Sequence, residues 1–287
     1  MLIKLSKNSS INGYIILVIL SSILFLREWS YDLTSIIIGV SVLLGAVFLT
    51  IILRNQALAK NCITAGLVFV VLCYSDPLLF EDIRFIVEVF VALVAFFYLL
   101  RSNDKTGSEY VFFFNSSFLL SCISVFDNIF VVALPFILFV LLFYSSNNFR
   151  HWIISIIAMA VPWVLYYCFC FLTSRPFLFS IDLKPVMPEW DLPLILQTVE
   201  FFIGVVAFIF GINTLRGDII FRRKTSLFLF AFVYFSAFGI LFYEQPASHI
   251  MFPIISAFVI GKLLNYPRIK WIAEITLLAL IAAVLII

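Results

Sequence analysis

Arg84 and Glu88 stand four residues apart at the end of Ser75-Asp76-Pro77-Leu78-Leu79-Phe80-Glu81-Asp82-Ile83-Arg84-Phe85-Ile86-Val87-Glu88, a spacing that puts them on one helical face where they can pair. Glu81 and Asp82 precede them, where carboxylates favour the positive end of a helix dipole. Glu200, in Gln197-Thr198-Val199-Glu200, has no cation near it in sequence. It either meets Arg84 or Arg27 across a bundle or sits protonated, and a buried neutral glutamate is a proton site. His249, with Tyr243 and Glu244 before it, falls at a similar level, and Leu26-Arg27-Glu28-Trp29-Ser30-Tyr31-Asp32 gathers acid, base and aromatics in one loop. Two chemistries follow. Glu28, Glu81 and Glu200 are candidate general acids or bases, with Arg27, Asp76, Arg84, Glu88, Glu244 and His249 as ligand-binding candidates and the arginines taking a phosphate. Alternatively Glu88, Glu200 and His249 line a path for a proton or solute. Each group also has a plain structural reading: Arg84 and Glu88 as a self-satisfied pair, His249 as a packing residue, and Trp29, Tyr31 and Trp190 as an interfacial aromatic belt.

The elements that position these groups follow from composition. The 287 residues are 64% hydrophobic and 12% charged, with 35 Phe, far from the makeup of soluble domains. That excludes a soluble enzyme, a nucleic-acid module and a secreted disulfide scaffold, none of which could hide so much apolar surface. A bilayer core takes roughly 20 apolar residues per helix. Cutting the chain at charges, prolines and polar clusters predicts an all-α polytopic membrane protein with eleven helices, at about 11–26, 34–53, 61–75, 82–100, 110–125, 127–145, 150–173, 192–214, 225–243, 247–264 and 269–287. Only Phe126-Asp127 separates 110–125 from 127–145, so that pair also reads as a re-entrant hairpin and the count as ten or nine.

Basic loops stay in the cytoplasm, which orients the chain. With the N-terminus inside, Lys4, Lys7, Arg54, Lys60, Arg101, Lys105, Arg150, Arg216, Arg222, Arg223, Lys224, Lys262, Arg268 and Lys270 are cytoplasmic, 14 of the 18 basic residues. Arg27, Arg84, Arg175 and Lys184 lie outside, and the C-terminus is periplasmic. Ten of the 16 acids fall on the outer side, including Glu28, Asp76, Glu81 and Glu244. Acids are only weakly topogenic, so this shelf reads either as a solvated rim or as a working face. Residues 1–287 read as a single membrane domain without a soluble one, and no small-residue cleavage site follows the first apolar stretch. The five cysteines fall in or beside spans, so no disulfide framework is implied, and Cys168 and Cys170 face different ways on a helix. No metal or cofactor motif is present. Arg216, Arg222, Arg223 and Lys224 form a basic strip suited to anionic headgroups, which topogenic charge explains as well.

The segments Asn115-Ser116-Ser117-Phe118-Leu119-Leu120-Ser121-Cys122-Ile123-Ser124-Val125-Phe126, Asn148-Phe149-Arg150-His151-Trp152-Ile153-Ile154-Ser155-Ile156-Ile157 and Val161-Pro162-Trp163 resemble an uncharacterised family of multi-pass inner-membrane proteins of Bacteroidota. The likeness runs from about the second span to the seventh. It implies a bacterial inner (cytoplasmic) membrane in a Gram-negative envelope and carries over no catalytic residue; Asp127 stands where that family is expected to hold an aromatic. Three functions stay open: a non-catalytic subunit of a cell-envelope complex, a protein binding or processing a polyprenyl-phosphate-linked sugar at the periplasmic face, and a transporter or flippase for a small molecule or lipid. The expected partners are membrane lipids and, according to the reading, a polyprenyl-linked substrate or other envelope proteins; nucleic acid is not among them.

Overall fold

The computed structural model describes residues 11–27, 33–56, 63–75, 84–102, 109–127, 131, 133–144, 149–177, 219–241 and 253–261, with helical positions at 198, 202, 205, 274–275, 277–278 and 281–282. All regular structure among the described residues is helical, as long apolar runs require where each N–H and C=O must be satisfied within its own segment. The helices are α1 (Ile11–Arg27), α2 (Leu33–Asn55), α3 (Ile63–Tyr74), α4 (Arg84–Arg101), α5 (Glu109–Phe126), α6 (Ala133–Tyr144), α7 (Phe149–Leu172) and α8 (Ile219–Leu241), followed by α9 (253–261). Among the described residues α2, α5 and α7 are long and apolar enough to cross a membrane. Gly13–Leu26, Ile63–Tyr74 and Ala133–Leu142 are shorter apolar stretches.

Two of the expected boundaries shift. α6 starts at Ala133 rather than 127, because Asp127 closes α5, its N–H bonded to Ile123 O at 2.8 Å. α8 starts at Ile219 rather than 225, running straight through the charges at which the chain had been cut. Lys224 is consequently not part of a surface strip. It is 4% exposed and donates from Nζ to Gln56 Oε1 at 2.6 Å, while Arg223 beside it is exposed.

The chain divides into two units, residues 1–89 with 186–287 and residues 90–185, the boundary falling inside α4. In the first unit α3 is buried along its whole length, as a helix apolar on every side must be. Gly66 is the reason α1 and α2 can close on it: a Cβ there would lie 2.6 Å from Thr50 Oγ1, 3.0 Å from Leu17 Cδ1 and 3.1 Å from Ala46 O. Phe25 against Gly39 makes α1 and α2 an antiparallel hairpin. α9, also buried throughout its described length, approaches α3 at Gly261, where a Cβ would meet the Cα of Ala65 at 2.8 Å and its N at 3.0 Å. Phe228 of α8 stacks on Phe258 of α9 with ring centroids 3.8 Å apart.

In the second unit Tyr98 near the end of α4 stacks on Phe112 near the start of α5, so these helices also run antiparallel. Phe96 stacks on Phe136 of α6. α7 ends in a cap that reverses the chain. Arg175 N–H reaches Cys170 O at 2.9 Å, Ser174 N–H reaches Phe171 O at 3.3 Å, and Ser174 takes the left-handed conformation at φ 52°. This is the Schellman arrangement, which satisfies the carbonyls a helix leaves open at its C-terminus. It folds Phe177 back onto α7, 5.4 Å from Tyr166 and 5.7 Å from Tyr167.

A buried hydroxyl and imidazole seam

α5 and α7 form the closest helix pair of the second unit, and their register can be read from three contacts. The Phe113 ring lies 5.6 Å from the His151 ring. Ser121 Oγ donates to Met159 O at 2.5 Å, and Trp163 Nε1 donates to Ser124 Oγ at 3.1 Å. The numbering rises together on both helices, so α5 and α7 are parallel, with α6 as the return between them. Small side chains make the approach possible: Ser116, Ser117, Ser121 and Ser124 on α5 and Ser155 and Ala158 on α7 are each 0% exposed. Close packing of small residues with hydroxyls bonded across the interface is how helices associate where no hydrophobic force separates them from lipid.

The two halves of the seam differ. At one end every hydroxyl is used. Pro162 removes the backbone donor that Ala158 O would otherwise receive in the middle of α7, and Ser121 donates to the next carbonyl, Met159 O. Ser124 accepts from the Trp163 indole and donates to Ser121 O at 2.7 Å. At the other end Ser116 Oγ, Ser117 Oγ, Ser155 Oγ and His151 Nδ1 are buried and have no hydrogen-bond partner among the described residues. Hydroxyls in membrane helices ordinarily bond back to a carbonyl one turn earlier. Ser22, Thr50, Ser75 and Ser102 all do so here. Ser116, Ser117 and Ser155 do not, and the shared offset of the two helices sets Ser117 level with Ser155, one turn from His151. Each orphaned polar atom costs about 1–3 kcal/mol unless a guest satisfies it, and several together in one layer define a polar site inside an apolar bundle.

Of the site residues expected from the sequence, Arg84 and Glu88 have described side chains. Arg84 opens α4 and is exposed, and Glu88, one turn on, is 6% exposed. Arg27 is the last residue of α1, its side chain outside the described set, and Glu28, Asp76, Glu81, Glu200, Glu244 and His249 lie outside the described residues. Cys168 is exposed and Cys170 buried, on different sides of α7. The seam was not foreseen as a site, although its residues carried the family resemblance. The signal was available as Ser117, Ser121 and Ser124 on one face of an apolar helix, and as His151 with Ser155 four residues apart on another.

Three apolar helices of spanning length, with the buried hydroxyls confined to the helix interfaces, make this an all-helical chain suited to a membrane. No family model, curated protein or solved structure matches it.

Proposed function

We propose that the protein is a multi-pass protein of a bacterial inner membrane that passes a small polar solute or protons through the α5–α7 seam. Eleven spans, a cytoplasmic N-terminus and a periplasmic C-terminus fit the distribution of Lys and Arg, and the alternating directions of α1 to α3 and of α4 to α7 are compatible with that order. The resemblance to inner-membrane proteins of Bacteroidota supports the same location. The observation that carries the transport reading is the layer of Ser116, Ser117, Ser155 and His151, buried without partners in a helix pair that already has enough hydroxyl bonds to hold it together. Polar groups turned inward within membrane spans characteristically line the routes of ions, protons and solutes.

Cysteine accessibility separates a conduit from an adhesive interface. In a background with the five native cysteines replaced, Ser117→Cys and Ser155→Cys should react with a membrane-impermeant methanethiosulfonate in intact vesicles. Ser121→Cys, in the closed half of the seam, should stay inert. Unreactive Ser117→Cys and Ser155→Cys in folded protein would mean that the layer is sealed, and the transport reading would fall.

A second reading, the subunit of an envelope complex, is favoured by the end of α7. Residues 165–172 run past the level of Phe126 by about 12 Å, and Leu165, Tyr167, Phe169, Phe171 and Leu172 are exposed there around most of the helix. Such a surface is covered by lipid or by another protein. The polyprenyl-linked sugar reading draws on Glu28, Asp76, Glu81 and Glu200, which lie outside the described residues.

A further inference from the structure

Two arginines of the second unit are held against aromatic rings rather than against carboxylates. Arg101, the last residue of α4, has its guanidinium carbon 5.0 Å from the Phe112 ring centroid and 5.8 Å from that of Phe97. Arg150, in the first turn of α7, lies 4.8 Å from the Tyr110 centroid. Both are exposed, and neither forms an ion pair with an acid among the described residues. Tyr110 and Phe112 are two positions apart, about 200° round α5, so the two guanidiniums flank the first turn of α5 on opposite sides. A guanidinium whose carbon sits 4.8–5.8 Å from ring centroids makes no demand on a carboxylate partner, and its N–H fork fits a phosphate in two-point fashion. Below Arg150, Phe149, Ile153, Ile156, Ile157 and Val164 are exposed along one stripe of α7, an apolar track that begins beside the cation.

We infer that this basic and aromatic collar is a binding site for anionic phospholipid, each guanidinium taking one headgroup phosphate and the α7 stripe receiving acyl chain from the headgroup at Arg150. Contact with the rings holds the arginines where a freely moving side chain would spread its charge over many headgroups, and the adjoining apolar stripe selects a lipid over a free anion. Arg54 and Arg223 are exposed too, and among the described residues no ring contact of this kind holds either, so they contribute positive charge without a built site.

The test uses the full-length protein in bilayers and its own tryptophan fluorescence, quenched by brominated lipid. Brominated phosphatidylglycerol should be preferred over brominated phosphatidylcholine by roughly thirtyfold, the order expected for two interfacial arginines. Arg101→Gln with Arg150→Gln should bring that ratio close to one, and each single change should remove part of it. Arg54→Gln with Arg223→Gln, which deletes the same charge elsewhere, should leave the ratio within twofold. Should the glutamine pair not fold, Arg101→Lys with Arg150→Lys keeps the charge, loses the two-point fork, and should still reduce the ratio severalfold. A ratio unchanged in either collar pair, or reduced equally by the control pair, would overturn the inference. So would displacement of the lipid by excess inorganic phosphate, which would make the collar a phosphate site instead.

Discussion

Trp163 shows how a single side chain can join two helices in an apolar setting. Its Nε1–H donates to Ser124 Oγ at 3.1 Å, and that hydroxyl passes its own proton on to Ser121 O at 2.7 Å. An indole packs well into a bundle only if its N–H finds an acceptor, and Ser124, 0% exposed, is that acceptor. Trp163→Phe keeps most of the ring and loses the bond, so it should lower stability by about 1 kcal/mol. Ser124→Ala strands the indole N–H and should cost somewhat more, about 1–3 kcal/mol. The two changes act on one bond, so the double variant should fall short of the sum of the singles, as a double-mutant cycle of thermal unfolding in detergent can show. Strict additivity would mean that the indole and the hydroxyl contribute separately. The same logic sets Ser117 and Ser155 apart: they lie in the same seam, are as deeply buried, and lack the partner that Ser124 has.

At the level of the elements, the first unit depends on three places where a side chain has been dispensed with, at Gly39, Gly66 and Gly261. Gly261 of α9 lies against the backbone of Ala65 in α3, where a Cβ would sit 2.8 Å from Cα and 3.0 Å from N. Backbone cannot rotate away as a flexible side chain can, so Gly261→Ala should push the helices apart and cost about 1–3 kcal/mol through overpacking. Ala65→Gly removes one of the clashing atoms, the Cβ at 3.0 Å, but leaves Cα and N, so it should rescue Gly261→Ala only in part. Thermal unfolding of the three variants checks this, and a neutral Gly261→Ala would show that α9 can shift freely. The helices themselves were legible in the sequence, since uninterrupted apolar runs allow little else; α1, α2, α5 and α7 fall close to where hydrophobic length alone puts them. The shift at the start of α8 has a plain cause. Charges were treated as helix ends, whereas Arg223 and Lys224 lie inside α8, Lys224 with a partner in Gln56. The seam was harder to read because an isolated serine in a membrane helix usually satisfies itself. Only the helix pairing shows that Ser117 and Ser155 come to one level with their hydroxyls unused. Of the acids expected to act with Arg84, Glu88 is the one whose side chain is described, buried one turn into α4 from exposed Arg84.

For the whole molecule the central question is direction. In the first unit α1 and α2 run antiparallel through Phe25 and Gly39, and Gly66 meets Thr50 and Ala46 as the next reversal requires. In the second, α4 and α5 reverse at Tyr98 and Phe112, and α5 and α7 run parallel with α6 between them. Alternation of this kind puts the end of α4, the start of α5 and the start of α7 on one side, and that side carries Arg101 and Arg150. If basic residues mark the cytoplasmic face, the far ends of α5 and α7, with Asp127 and the Ser174 cap, face the periplasm. α5, at 18 residues, has spanning length, which favours a full crossing by 109–126 over a re-entrant turn. Alkaline phosphatase fusions convert this into four outcomes. The enzyme should be inactive when joined after Asn103, active after Asp127, inactive after Asn147 and active after Ile287. Inactivity after Asp127 with the other three as expected would reduce 110–145 to a hairpin and lower the span count, leaving the orientation intact. Inactivity after Ile287 would break the parity of eleven spans, and activity after Asn103 would invert the molecule. The arginine collar would then face the periplasm, so the fusion at Asn103 also decides which leaflet supplies its lipid.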